Sequence, residues 1–110
     1  MAERERRRYV RFALPVQVAV KGRGLSETCT AEQLGMGGCM ITLSRLLPEG
    51  APLQVELSAE GRAPKVGGTA QVAWASPEAP FSTGLSFSAP LVEAMGPFLR
   101  ALVGSAPLRP

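Results

Sequence analysis

The chain has 110 residues, 45% of them apolar, with twelve basic and nine acidic side chains and a net charge of +3. This length suits one compact domain with a single core, and no apolar run is long enough to cross a bilayer. His, Asp and Asn are absent, which excludes a His general base, a Ser-His-Asp or Cys-His triad and an Asp-rich magnesium site.

The first eleven positions carry Arg4, Arg6, Arg7, Arg8 and Arg11, five of the twelve basic residues, against Glu3 and Glu5. Residues 12–110 hold seven basic and seven acidic side chains and are neutral, so an anionic ligand is expected to meet the N-terminal segment. No apolar stretch of the signal-peptide kind follows Met1, and the expected location is the cytoplasm.

Phe12, Leu14, Val16, Val18 and Val20 alternate with other residues, which predicts a first strand over residues 12–20. Pro15 lacks an N–H and places an edge or bulge near its start. After the turn at Lys21–Gly24, residues 25–34 read as a second, less regular strand. Gly35-Met36-Gly37-Gly38 is a tight turn into a third strand in which Cys39, Ile41 and Leu43 align. Leu53, Val55 and Leu57 mark a fourth strand. Residues 61–68 are expected to form a loop, followed by a fifth strand with Ala70, Val72 and Trp74 on one face. Thr83, Leu85 and Phe87 mark a sixth.

From Leu91 onward the apolar spacing changes to three and four, through Ala94, Met95, Phe98, Leu99, Leu102 and Val103. A helix over about residues 90–104 follows, with Pro97 expected to kink or split it and Gly104 to end it. The fold class is therefore mainly β: a small six-stranded antiparallel β-barrel with a C-terminal helix over one end. It forms a single domain with an arginine-rich segment at 1–11, a barrel at 12–88 and the helix. Cys29 and Cys39 read as small apolar side chains rather than a disulfide in a cytoplasmic chain, and two cysteines without His cannot make an ordinary zinc site. With no catalytic constellation in view, the chain is not expected to be an enzyme and needs no cofactor.

Two local features carry functional information. The first is Arg6-Arg7-Arg8-Tyr9-Val10-Arg11, directly before the first strand. Guanidinium groups pair bidentately with phosphates and with O6 and N7 of guanine, and they stack on bases. Taken alone, such a run also fits a solvated basic arm or a nucleic-acid tail. The second is Gln33-Leu34-Gly35-Met36-Gly37-Gly38, a glycine-rich turn able to present backbone N–H groups to an anion.

In this order the two features resemble the PilZ family. Arg7-Arg8-Tyr9-Val10-Arg11 matches its RxxxR motif, and Gln33 to Gly38 aligns with its [D/N]xSxxG motif. Ala70 to Trp74 and Thr83 to Phe87 look like its paired late strands. The resemblance implies that Arg7 and Arg11 clamp the guanines and phosphates of cyclic di-GMP, with Arg8 and Tyr9 as neighbours. It places Gln33, Gly35 and Gly38 at the ligand's other side. Gln33 stands where the family has Asp or Asn, Gly35 where it has Ser, and Gly38 matches. Each lost hydrogen bond costs about 0.5–3 kcal/mol, which implies weak binding.

The expected function is a signalling adaptor that binds cyclic di-GMP as a regulatory ligand and relays it to a protein partner. By the resemblance, that partner belongs to the motility or exopolysaccharide machinery. The alternative is a divergent member that does not bind cyclic di-GMP and acts through protein contacts alone, for example through apolar residues from Met95 to Leu102. Nucleic acid is disfavoured because the rest of the chain is neutral, whereas nucleic-acid binders carry a broad basic face.

Overall fold

The computed structural model describes residues 16–105. Seven strands and one helix make up this region: β1 (Gln17–Gly22), β2 (Leu25–Thr30), β3 (Gln33–Leu34), β4 (Gly38–Leu43), β5 (Pro52–Ala59), β6 (Ala63–Ala75), β7 (Phe81–Phe87) and α1 (Ala89–Ser105). All strand pairs are antiparallel, in the order β2-β1-β5-β6-β7-β4-β3.

Seven strands arise where six are expected because the run at 25–34 changes partner midway. Residues 25–30 pair with β1, and Gln33 and Leu34 pair with Met40 and Cys39 of β4. At the switch, Ala31 N–H donates to Val16 O and Glu32 N–H to Met40 O, both at 2.8 Å. One continuous run therefore joins the two ends of the curled sheet into a barrel-like shape. Beyond the switch the seam between β2 and β4 is held by side chains. Cys29 Sγ donates to Thr42 O at 3.3 Å, Ser44 N–H and Oγ both donate to the Glu27 carboxylate, and Thr42 Oγ1 donates to Glu32.

The alternating patterns bury one face of each strand. Val16, Val18, Val20, Ile41, Leu43, Leu53, Val55, Leu57, Val72, Leu85 and Phe87 all enter one core. The helix completes that core with Leu91, Met95, Phe98, Leu99 and Leu102. These residues are buried, so the stretch from Met95 to Leu102 does not form an exposed partner surface; the barrel takes its apolar stripe. Pro97 does not split the helix, which runs as one element through it. The bond that Pro97 cannot donate would have gone to the Glu93 carbonyl, and both residues are exposed, so water can satisfy that oxygen.

The loop expected at 61–68 is also different. Only a short turn at Gly61 (φ 73°) separates β5 from β6, and pairing resumes at Ala59 with Ala63. Gly68 lies inside β6 because the helix crosses it: a Cβ there would sit 3.1 Å from Leu91 Cβ. The glycine marks a close approach of helix to strand rather than a turn. Among the described residues no helix is long and apolar enough to cross a membrane.

Candidate functional site

The outer faces of β3, β4, β7 and β6 form one cross-strand row. Gln33 pairs with Met40, Met40 with Gly84, and Gly84 with Trp74. Four strands at about 4.8 Å spacing make this row roughly 14 Å wide. Trp74 belongs to it because of a bulge: the register shifts between Val72, which pairs with Leu85, and Trp74, which pairs with Gly84. The extra residue, Ala73, turns Trp74 to the outer face, where it is 43% exposed. The sequence pattern placed Trp74 beside Ala70 and Val72 on the inner face; those two are buried and Trp74 is not.

Gly84 determines where the indole goes. A Cβ at Gly84 would lie 2.5 Å from Trp74 Cε2 and 2.8 Å from Cδ1, with Nε1 nearer still. Three contiguous ring atoms at similar distances mean that the pyrrole ring lies face down over the glycine. The indole thus leans from β6 over Gly84 of β7 and stays partly exposed.

The turn of residues 35–38 forms the adjoining rim. Gly35 N–H donates to Gly38 O, and Phe87 N–H donates to Gly37 O, both at 2.9 Å, which ties the turn to the end of β7. None of these glycines is at positive φ; Gly22, Gly24, Gly50 and Gly61 are. Gly38 serves another purpose: a Cβ there would overlap the carbonyl oxygen of Leu85 and lie 3.2 Å from its carbon. Only glycine lets β4 approach β7 this closely.

Together these elements enclose a groove of about 300 Å³, lined by Gln33, Gly35, Gly37, Gly38, Met40, Trp74, Gly84 and Ser86 among others. Met36, 49% exposed, stands on its edge. No lining side chain is charged, and the side chains able to form ordinary hydrogen bonds are those of Gln33, Ser86 and Trp74, the last as an N–H donor only. The floor is nearly bare backbone, with a tryptophan and two methionines at its sides. Such a surface suits a flat, polarisable ring, which stacks on the indole and thioethers and meets peptide groups at the floor. An anionic ligand would need cations from elsewhere. A larger hollow of about 470 Å³ lies over the outer faces of β1, β2, β5 and β6. It offers Lys21, Glu27 and Glu56 together, with no aromatic ring and charges of both signs, so it is the poorer match to an anionic nucleotide.

Of the residues singled out from sequence, Gln33, Gly35 and Gly38 are brought together in this groove. Arg7, Arg8 and Arg11 lie outside the described residues. Met36, Met40, Trp74, Gly84 and Ser86 join the site without having been foreseen. Cys39 also borders the groove, yet its thiol belongs to the core; burial, helped by the neighbouring Cys29, pushes its pKa up to about 12. Burial raises Cys29 as well, and the carboxylates of Glu27 and Glu32 add to the effect. Both thiols are therefore protonated and unreactive at neutral pH. Among the described residues no cluster of side chains could hold a metal ion.

A family model described as the PilZ domain matches residues 5–103 of the chain. No curated protein matches it. Among solved structures, the Bacillus subtilis inhibitor of motility MotI/DgrA superposes with a TM-score of 0.62 at 18% identity. The likeness covers 90% of this chain and 50% of that one, so the chain spans about half the length of that neighbour. At this identity the likeness speaks to the fold.

Proposed function

The chain belongs to the PilZ domain family, and on that premise we propose that it is a signalling adaptor that binds cyclic di-GMP in the groove between Gln33 and Trp74. The observation that carries the reading is the row Gln33, Met40, Gly84, Trp74: a glycine-floored surface with a partly exposed indole at one edge and one amide at the other. One purine of the ligand stacks on Trp74, and the backbone of the 35–38 turn lies along its edge.

The groove supplies no positive charge, and the arginine segment would provide it. Val16 O accepts from Ala31 N–H, and Ala31 is two residues from Gln33, so the chain enters the barrel beside the groove. Arg11 is five residues upstream of Val16 and Arg7 nine, giving chain reaches of at most about 18 Å and 32 Å. Both can reach a ligand in the groove. Arg7 and Arg11 would grip phosphates and the second guanine, with Arg8 beside them.

Affinity is lowered by the two departures in the second motif. Gly35 is buried and offers no hydroxyl, and Gln33 offers an amide on a longer stem. The same departures support a second reading, a PilZ-type protein that works through protein contacts without the nucleotide. In the first reading the ligand orders the arginine segment against the barrel, and the altered surface engages a protein partner. Support for motility as the process comes from the structural neighbour alone, which is an inhibitor of motility.

Calorimetric titration with cyclic di-GMP, beside an Arg7→Ala/Arg11→Ala double variant, tests the proposal. Saturable heat that the double variant loses is the expected result. No heat at high micromolar ligand, with the protein folded, would remove the nucleotide from the account and leave the second reading.

A further inference from the structure

β6 is longer than the strand beside it. Its 13 residues, Ala63–Ala75, pair with β5 from Ala63 to Gln71, whereas β7 covers it only from Ala70 to Ala75. The run from Ala63 to Gly68 is therefore paired on one side alone, and Pro64, Lys65 and Gly67 are exposed. Backbone N–H and C=O groups point alternately to the two sides of a strand, and observed bonds fix the phase here. Val72 bonds toward β5, through Ala51 O and Gly50 N–H, and Thr69 O accepts from Ser88 N–H on the β7 side. Counting back by twos from Thr69, the N–H and C=O groups of Gly67 and Lys65 point away from β5, at the open edge. They have no backbone partner among the described residues.

An open edge is a template for another strand, and the residues on this one fit a second copy of the same edge. Two such edges meeting antiparallel about a two-fold axis at Val66 set Lys65 of each copy opposite Gly67 of the other. Each opposed pair exchanges both its N–H···O bonds, and the two Val66 side chains meet at the closer position between them. On the outer face, Gly67 then lies between Glu56 of β5, its direct partner, and the incoming lysine. Glu56 and that lysine are two strand spacings apart, about 10 Å. Their two stems cover this distance because Gly67 puts no side chain between them. Within one chain Lys65 Nζ already lies 3.9 Å from Glu56 Oε1. In the pair, each lysine stands between two glutamates, one from each copy.

Neighbouring registers fail. A shift one way sets Lys65 against Lys65, like charges directly opposite. A shift the other way calls on Thr69, whose carbonyl is already taken by Ser88. Lysine on an edge strand commonly wards off pairing; here it selects a register.

We infer that the chain self-associates through this edge, as a weak two-fold dimer in which one sheet runs from barrel to barrel. The contact is short and belongs with small, transient interfaces, below about 1,200 Å² in total. It lies at the opposite end of β6 from Trp74, so it stands independently of the nucleotide proposal.

Sedimentation equilibrium from about 10 µM to about 1 mM tests this on wild type, Lys65→Glu, Glu56→Lys and the double variant, with folding checked by circular dichroism. Both side chains are exposed, so the barrel tolerates these changes. Wild type is expected to pass from monomer toward dimer within the range. Each single reversal should weaken self-association about tenfold. The double reversal should restore it, and so should an equimolar mixture of the two single variants, since in both cases every contact across the axis again joins opposite charges. A wild-type chain that stays monomeric at about 1 mM overturns the inference and leaves the edge to a strand of another protein. A dimer indifferent to both single reversals also overturns it, by placing the contact elsewhere.

Discussion

Replacing Gly84 with Ala tests the arrangement of the groove with little disturbance elsewhere. The new methyl group would collide with the indole face of Trp74, at 2.5 Å from Cε2. No backbone atom is among its nearest neighbours, and the indole is already 43% exposed, so the ring can rotate outward and relieve the clash. The ring would lose its contact with β7, roughly 40 Å² of apolar surface, or about 1 kcal/mol. In a domain of this size that lowers Tm by about 4–8 °C. Binding should suffer more, because stacking of a base on an aromatic ring contributes about 1–3 kcal/mol, or roughly 5- to 150-fold in affinity. Trp74 is the chain's single tryptophan, so its fluorescence reads the site directly. We expect a red-shifted emission, a modest fall in Tm and a loss of cyclic di-GMP affinity approaching that of Trp74→Ala. An unshifted emission combined with a fall in Tm above about 15 °C would mean that the backbone, not the indole, absorbs the clash. That result would refute the reasoning.

Further outcomes follow from the same geometry. Gly38→Ala should cost about 1–3 kcal/mol or more in chemical denaturation, because its Cβ meets the fixed carbonyl of Leu85. Gly37→Ala, where a Cβ meets nothing within 4 Å, should stay within about 0.5 kcal/mol of wild type; equal costs at the two positions would contradict the assigned β4–β7 approach. Phe98→Ala should destabilise by about 3–5 kcal/mol in a urea titration, since Phe98 is almost wholly buried under the barrel, whereas Val103→Ala at an exposed position should change little. Cys39 is protonated in the folded chain up to about 12 but ionises near 9.0 when unfolded. Its contribution is therefore full below pH 9.0 and is lost as pH rises toward about 12, with a slope near 1.4 kcal/mol per pH unit. The stability advantage of wild type over Cys39→Ala should shrink between pH 9 and about 11, and a constant difference would show that the thiol is not held protonated.

Most of the barrel is visible in the chain's alternation. Val16, Val18 and Val20, the Cys39-Ile41-Leu43 set and the Leu53-Val55-Leu57 set each bury the face that period-two spacing assigns. The divided second strand is harder to read, because pairing partners are a property of the closed sheet and leave no mark on residues 25–34. Gly68 resembles a loop residue until the helix is seen to cross it, and Gly67 beside it lies against Val55 and Glu56 of β5; glycine has the same signature in a turn and in a close approach. The bulge at Ala73 is likewise silent in sequence, and it alone moves Trp74 from the core to the groove. Motif order located Gln33, Gly35 and Gly38, which lie in one rim of the site. The opposite rim, Trp74 over Gly84, depends on pairing across β6 and β7, and could have been suspected only from a lone tryptophan facing a glycine in the next strand.

The account's central claim is that the ligand sits on the outer faces of β3, β4, β7 and β6, covered by the arginine segment. An NMR titration of the isotopically labelled chain with cyclic di-GMP tests this most directly, because the single indole N–H of Trp74 and the amides of Gly35, Gly37, Gly38, Gly84 and Ser86 all border the groove. The account predicts saturable shifts concentrated on these signals and on residues 7–11, with the outer faces of β1, β2 and β5 unaffected. Shifts confined to the arginine segment, or centred on the hollow beside Lys21, Glu27 and Glu56, would contradict it.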